Sequence, residues 1–248
     1  MSREQTLQGL KDLRLRTMHE TASLLMDSGK HLSMSSEEFL SLLVDAELSA
    51  RASKRFDLMI KRANLRPENA CLENIRISKD RGLKREMIQQ FLSSGWIDRG
   101  RNIILTGATG VGKTYLAEAL IFQGCKVGAK GRKLSLALLL EEIRVARATG
   151  SYIKYLKGIS GLKVLALDDF LITKPSVSDA GELLNILEER VAASPTIVTS
   201  QYPADKWHER IPDPTIADAL CDRLLEGSMI INMSGPSQRG KSDDEVQV

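Results

Sequence analysis

Eight consecutive residues near the middle of the chain constrain its fold more than any other feature. They run from Gly107 to Thr114 and match the pattern G-x-x-x-x-G-K-[ST], with Gly110 as an additional glycine. A β-rich run, 101–106, precedes them, and a helix-forming run, 115–120, follows. Glycines let backbone amides approach a phosphate closely, and the positive N-terminal end of the following helix faces the same point. The pattern therefore predicts a phosphate-binding loop between a strand and a helix.

The side chains of this loop indicate a nucleoside triphosphate with its metal ion. Lys113 can reach the β- and γ-phosphates, and Thr114 can ligate Mg²⁺. The bland alternative is a glycine-rich turn without a ligand, and the flanking strand and helix argue against it. We therefore expect ATP and Mg²⁺ as cofactors. The residues expected to hold ATP are Gly107, Ala108, Thr109, Gly110, Val111, Gly112, Lys113 and Thr114.

Two carboxylates follow an apolar run at 164–167 and predict the second half of the site. Ligands bind at the carboxyl ends of strands in open α/β sheets, so we assign Asp168 to Mg²⁺, directly or through water. Asp169 then orients and polarises the attacking water. Ser200 or Gln201, at the end of the next strand, could sense the γ-phosphate, and spacing does not choose between them. The alternatives are ordinary strand-ending turns.

Short β-rich runs alternate with helical stretches from residue 101 onward. This alternation predicts a five-stranded parallel sheet between helical layers, preceded by a small all-helical N-terminal domain. We expect the helical domain at 1–66, a basic linker region at 67–100, the core at 101–240 and a disordered tail at 241–248. The expected strands are 102–106, 132–136, 163–167, 196–200 and 229–233, and the expected core helices are 113–124, 137–150, 179–192 and 214–225.

Local signals also fix individual helix ends. Ser35 and Glu38 have the spacing of a capping box, and Pro214 after Asp213 fits the start of a helix. No apolar run approaches the ~18–20 residues that cross a bilayer, and the N-terminus lacks the apolar stretch of a signal peptide. The three cysteines have no metal-ligand spacing. These features predict a cytoplasmic protein with no membrane partner.

Basic residues are concentrated in one stretch before the phosphate loop. Residues 51–100 hold 12 Lys and Arg against 6 Asp and Glu, whereas residues 101–248 hold 18 of each. Such a local excess attracts polyanions, although a solvated helix face would show the same pattern. The candidate DNA-binding residues are Arg51, Lys54, Arg55, Lys61, Arg62 and Arg66, with a second cluster at Arg76, Lys79, Arg81, Lys84 and Arg85.

The order of these motifs resembles the AAA+ ATPases, and among them the IstB-type transposition helpers and the DnaC-like helicase loaders. The resemblance covers roughly residues 50–240. It rests on the phosphate loop, Leu167-Asp168-Asp169-Phe170, Thr199-Ser200-Gln201-Tyr202-Pro203 with Trp207, Asp222-Arg223-Leu224, and Gly235-Pro236-Ser237-Gln238-Arg239. It implies that Arg223 is an arginine finger for a neighbouring subunit and that Arg239 is a second sensor contacting ATP. It also implies an AAA+ core, and the short Asp169 carboxylate suggests slow hydrolysis.

The resemblance implies a function that agrees with the charge pattern. We expect an ATPase that forms an ATP-dependent oligomer on duplex DNA and that recruits and activates the transposase encoded by the same insertion sequence. A DnaC-like replicative helicase loader is the alternative with the same ATP site. Two further alternatives are a monomeric small-molecule kinase and a DNA-binding protein that uses ATP only as a conformational ligand.

Overall fold

The chain was analysed as a computed structural model that describes residues 2–65, 71–190 and 194–238. It divides into two compact units, Met1–Leu58 and Met59–Val248. Ten α-helices lie in these described ranges: α1 (Arg3–Asp12), α2 (Arg16–Asp27), α3 (Ser36–Ala63), α4 (Arg85–Leu92), α5 (Gly95–Asp98), α6 (Lys113–Lys126), α7 (Leu136–Ala148), α8 (Tyr152–Ser160), α9 (Val177–Glu189) and α10 (Pro214–Leu225).

The first unit is helical and has a small core of its own. Ala22, Leu25 and Leu43 are buried at its centre, with Met18 and Phe39 among the apolar side chains around them. The predicted capping box is present: the Ser35 amide donates to Glu38 Oε2 (2.8 Å), and the Glu38 amide donates to Ser35 Oγ (3.1 Å). These reciprocal bonds satisfy backbone groups that the helix cannot.

The second unit is built on a five-stranded parallel sheet in the order β2-β3-β4-β1-β5. Its strands are β1 (Ile103–Thr106), β2 (Gly131–Ser135), β3 (Val164–Asp168), β4 (Thr196–Ser200) and β5 (Met229–Asn232). Every residue of β1, β3 and β4 is buried, as expected for a parallel sheet covered on both faces. The predicted five-stranded parallel architecture is confirmed.

Two parts of the second unit differ from the expectations. A separate helix, α8, follows α7 because Gly150 takes a left-handed φ of 68° and ends the preceding helix. The end of the segment expected as a basic linker, 67–100, forms α4 and α5, which bury Ile88, Phe91 and Trp96. Apolar side chains at helical spacing thus make this stretch part of the packed unit.

No helix in the described ranges is both long enough and apolar enough to cross a membrane. The cysteines Cys71, Cys125 and Cys221 are free thiols. The predicted N-cap of α10 is confirmed, since Asp213 Oδ1 accepts from the Ile216 amide at 2.9 Å with Pro214 at the first helical position. The expected tail at 241–248 lies outside the described residues.

Candidate nucleotide-binding site

The carboxyl ends of three central strands meet at one edge of the sheet. Thr106 of β1 pairs with Ser200 of β4, and Leu167 of β3 pairs with Val198 of β4. The phosphate loop follows β1 at this edge, and Asp168 and Asp169 lie at the end of β3. Tertiary structure therefore brings together the loop and the acidic pair, which are more than fifty residues apart in sequence.

The glycines of the loop hold conformations that a side chain would not tolerate. Gly107 has a φ of 142°, and a Cβ atom there would lie 2.0 Å from the Met233 carbonyl oxygen. Gly110 has a φ of 87°, and a Cβ atom there would lie 2.5 Å from Ser237 Oγ. Only glycine fits both the backbone conformation and the space. The loop is thus kept tight against the segment that follows β5.

Lys113 begins α6 and is buried. Its Nζ donates to the carbonyl oxygens of Gly107 and Ala108, at 2.8 Å each. The ammonium group therefore lies against the first two residues of the loop, whose carbonyls hold it. A cation in this position is available to phosphate oxygens that enter the loop.

A hydroxyl–carboxylate network connects the loop to β3 and β4. Asp168 Oδ1 accepts a hydrogen bond from Thr114 Oγ1 at 3.0 Å and a second one from Thr199 Oγ1. Asp168 is itself buried. The oxygens of Thr114 and Asp168 are hard donors of the kind Mg²⁺ prefers, and their proximity fits the predicted pair. No group of three or more His, Cys, Asp or Glu side chains suited to a metal occurs among the described residues.

Thr199 is a site residue that the sequence interpretation missed. Besides its bond to Asp168, its Oγ1 accepts from the Asp169 amide at 3.1 Å, and its carbonyl accepts from the Phe170 amide at 2.8 Å. Asp169 is exposed and has a left-handed φ of 57°, which turns the chain away from β3. Thr199 therefore contacts the Asp168 carboxylate and the Asp169 backbone. Its place directly before Ser200 was the only available signal.

The two γ-phosphate sensor candidates have different surroundings. Ser200 is fully buried, its Oγ donates to the Phe170 carbonyl at 2.9 Å, and the same Oγ accepts from the Tyr202 amide at 3.1 Å. Gln201 is exposed at the end of β4. Ser200 therefore has a local structural role, whereas Gln201 keeps a side chain that can turn toward a ligand.

Arg223 lies near the end of α10, at the opposite edge of the sheet. Its carbonyl accepts from Asn102 Nδ2 at 2.9 Å, directly before β1 begins. Its Nη2 pairs with Glu188 Oε1 of α9 at 2.7 Å, and both side chains remain partly exposed. The structure therefore does not bring Arg223 to the phosphate loop of its own chain.

The first cluster of candidate DNA-binding side chains lies on α3, where Arg51, Lys54, Arg55, Lys61 and Arg62 are exposed. Arg51 is also engaged within the first unit, since its Nε donates to Glu47 Oε1 at 2.8 Å. Of the remaining predicted site residues, Arg66 and Arg239 lie outside the described residues.

Comparison with known proteins agrees with this geometry. The family model described as IstB-like ATP binding protein matches residues 8–246. The insertion sequence ATP-binding protein y4uH of Sinorhizobium fredii is 34% identical over 239 residues, covering 96% of each chain. The ATP-binding protein of insertion sequence IS1162 from Pseudomonas fluorescens is 35% identical over 204 residues, covering 82% of this chain and 88% of that protein.

A solved structure of a DnaC helicase loader shows the same fold. It superimposes with a TM-score of 0.58 at 21% identity and covers 67% of this chain and 97% of that one. This likeness supports an AAA+ P-loop architecture for the core. With the loop geometry, the acidic strand end and the family match together, the chain belongs to the IstB-like ATP-binding proteins and is an AAA+ ATPase.

Proposed function

We propose that this ATPase oligomerises on duplex target DNA and recruits and activates the transposase of an insertion sequence. The relatives named above are ATP-binding proteins of insertion sequences, which supports the association with such an element. The observation that carries the oligomer proposal is the position of Arg223. It lies beside the N-terminal ends of the parallel strands (the amino edge of the sheet), whereas the phosphate loop lies at their C-terminal ends (the carboxyl edge).

The separation of the two edges argues for a shared site. The strand β1 has four residues and spans roughly 13 Å at about 3.3 Å per residue. Asn102, which bonds to the Arg223 carbonyl, precedes this strand, and Gly107 follows it. The Arg223 side chain is directed to Glu188 of α9, whose C-terminal end faces the same amino edge. A second subunit is therefore the natural place for Arg223 to act.

Within one subunit, the residues of the carboxyl edge would have separate roles in ATP hydrolysis. Loop amides and Lys113 bind the phosphates, and Thr114 with Asp168 would hold Mg²⁺, which neutralises charge on the β- and γ-phosphates when bound. Asp169 is exposed toward the solvent that supplies the attacking water. The exposed Gln201 would sense the γ-phosphate, and the partner subunit's arginine finger would complete the site.

A mixture of two inactive variants tests the shared site. Arg223→Ala removes the finger and Lys113→Ala removes the phosphate contact, so each variant alone should have little ATPase activity. In a mixture, the Lys113→Ala subunits still supply Arg223 to intact phosphate loops, and activity should return in part. Phosphate release is the measurement. A mixture no more active than the sum of its parts would contradict the proposal and would favour a monomeric enzyme.

DNA binding through phosphate contacts makes a separate prediction. Each phosphate neutralised by a lysine or arginine contributes about −0.9 to the slope of log affinity against log salt concentration. The double variant Lys54→Ala/Arg55→Ala removes two exposed cations from α3. It should make that slope less negative by roughly 2 on duplex DNA of any sequence. Ser49→Ala/Ser53→Ala, at exposed and uncharged positions of the same helix, is the matched control for surface change. An unaltered slope in the lysine–arginine variant would place DNA binding elsewhere.

The identity of the partner separates the two remaining functions. A transposition helper should retain the transposase of its own element in an ATP-dependent pull-down, whereas a helicase loader should retain a hexameric replicative helicase. The names of the relatives favour the transposase. The DnaC structure is similar at only 21% identity and supports the fold alone.

A further inference from the structure

The phosphate loop is held from outside by two residues that are not part of its motif. Arg81, in the segment before α4, donates from Nη2 to the Val111 carbonyl oxygen at 2.9 Å. Gln238, beyond β5, donates its backbone amide to the Gly110 carbonyl oxygen at 2.8 Å. Two consecutive carbonyl groups of the loop are therefore fixed by donors on the outer side.

The planarity of the peptide bond converts these contacts into an orientation of the loop amides. In a trans peptide, the carbonyl of one residue and the N–H of the next point in opposite directions. Holding the Val111 carbonyl on the outside turns the Gly112 N–H to the inside, and holding the Gly110 carbonyl does the same for the Val111 N–H. Inward amides are what a phosphate-binding loop requires.

The guanidinium of Arg81 is held in position beside the loop by its surroundings. Its Nη1 donates to the Arg76 carbonyl at 2.7 Å, so the group bridges two carbonyls. Its Nε is buried and has no hydrogen-bond partner within the part of the chain that the structure describes. Burial, and secondly the charge of Arg76, lower the pKa of the Arg81 guanidinium.

Gly112 allows this close approach. A Cβ atom at position 112 would lie 3.1 Å from Arg81 Nη2, where the glycine has a φ of 98°. The segment after β5 reinforces the contact, since the Ser234 amide donates to the Arg81 carbonyl at 3.3 Å. Arg81 is thus packed between the loop and the chain that follows the last strand.

We propose that Arg81 is a positioning residue of the ATP site, which holds the Val111 carbonyl outside the loop so that the Gly112 amide faces the phosphates. It acts through the loop backbone and not by contact with the base or sugar. This inference concerns nucleotide binding by the isolated protein and does not depend on DNA, oligomers or a transposase.

Binding of two probes to Arg81→Ala tests the inference. The probes are ATP and inorganic tripolyphosphate, each with Mg²⁺, measured by calorimetry without DNA. Loss of a hydrogen bond from a charged donor typically weakens an interaction by about tenfold or more. We expect a loss of about tenfold for both probes, because the loop amides contact phosphates only. Lys174→Ala is the matched control: it removes an exposed positive charge from the connection that follows β3, and it should change affinity by less than about twofold.

Three results would overturn the inference. Equal weakening by Arg81→Ala and Lys174→Ala would show a general effect of charge. A loss for ATP without a loss for tripolyphosphate would show contact with the nucleoside. Unchanged affinity for both probes would show that the loop does not need the bond from Arg81 to the Val111 carbonyl. If Arg81→Ala does not fold, as judged by its thermal unfolding without nucleotide, Arg81→Lys decides: a lysine reaches one carbonyl at a time, so at least a threefold loss for both probes supports the role, and no loss refutes it.

Discussion

Thr199 illustrates how much one hydroxyl can decide at the scale of a single residue. Its Oγ1 donates to the Asp168 carboxylate and accepts from the Asp169 amide, so it fixes the positions of two adjacent acidic residues with different assigned roles. The hydroxyl of Ser200, the next residue, donates to the Phe170 carbonyl and accepts from the Tyr202 amide. The hydroxyl of Thr199 thus contacts the acidic pair, whereas the hydroxyl of Ser200 bonds to backbone groups.

Thr199→Val should lower the turnover number for ATP more than it lowers ATP affinity. Valine keeps the shape of threonine but removes the donor to the Asp168 carboxylate and the acceptor of the Asp169 amide. A lost hydrogen bond to a charged group costs about 1.5–3 kcal/mol. We expect a decrease in turnover of roughly tenfold or more, measured by phosphate release at saturating ATP. Thr199→Ser retains the hydroxyl and should stay near wild-type activity. If valine and serine variants hydrolyse ATP equally well, the network has no catalytic importance.

At the scale of secondary-structure elements, a buried arginine at the end of one helix connects several elements of the second unit. Arg190 lies at the C-terminal end of α9 and is buried. Its guanidinium donates to the carbonyls of Ile159 (3.0 Å), Leu162 (2.8 Å) and Pro195 (3.1 Å), which connects the ends of α8 and α9 to the start of β4. Burial lowers the pKa of Arg190 to about 10, which opposes the charged form, so these carbonyl bonds are what stabilise the cation there.

Arg190→Met should destabilise the folded protein by about 3 kcal/mol. Methionine fills much of the volume but leaves several buried carbonyls without donors, and each unsatisfied polar group costs roughly 1–3 kcal/mol. Denaturant unfolding followed by circular dichroism measures the change. Glu189→Ala, at the exposed neighbouring position, is the control and should change the free energy of unfolding by less than about 0.5 kcal/mol. Similar unfolding of the two variants would mean that the carbonyls find other donors.

At the scale of the whole molecule, an ion pair within the chain competes with the proposed action of Arg223 on a neighbouring subunit. Glu188 and Arg223 form an ion pair within one chain, at 2.7 Å. If Arg223 acts on a neighbouring subunit, it must first leave Glu188. Ion pairs exposed to this degree contribute at most about 1 kcal/mol. The pair would therefore weaken assembly by a small amount without preventing it.

Glu188→Gln should therefore make assembly easier. Removing the carboxylate charge frees Arg223, and we expect the protein concentration for half-maximal ATPase activity to fall by up to about fivefold. Steady-state ATPase measured across a dilution series in the presence of duplex DNA gives this concentration. Glu189→Gln changes the same charge at the next residue and should have no effect. An unchanged or higher concentration in Glu188→Gln would show that the ion pair does not restrain the finger.

The sequence by itself determined the local units of this protein. The strand–loop–helix around Lys113, the caps at Ser35 and Asp213 and the five strands follow from spacing, turn residues and propensities that act over a few positions. Short-range signals did not separate α8 from α7 at Gly150, nor did they give the bounds of α4 and α5 before the core. Residue types also do not show which hydroxyl of the run 199–201 faces a carboxylate.

Only the tertiary structure decided which distant residues meet. The order of strands places β4 between β3 and β1, so Thr199 lies beside Asp168 and Ser200 beside Thr106. Parallel strands separate Arg223 from the phosphate loop of its own chain, and packing of the segments before α4 and after β5 brings Arg81 and Gln238 against that loop. Such contacts depend on the pairing and packing of the whole sheet, which no window of sequence contains.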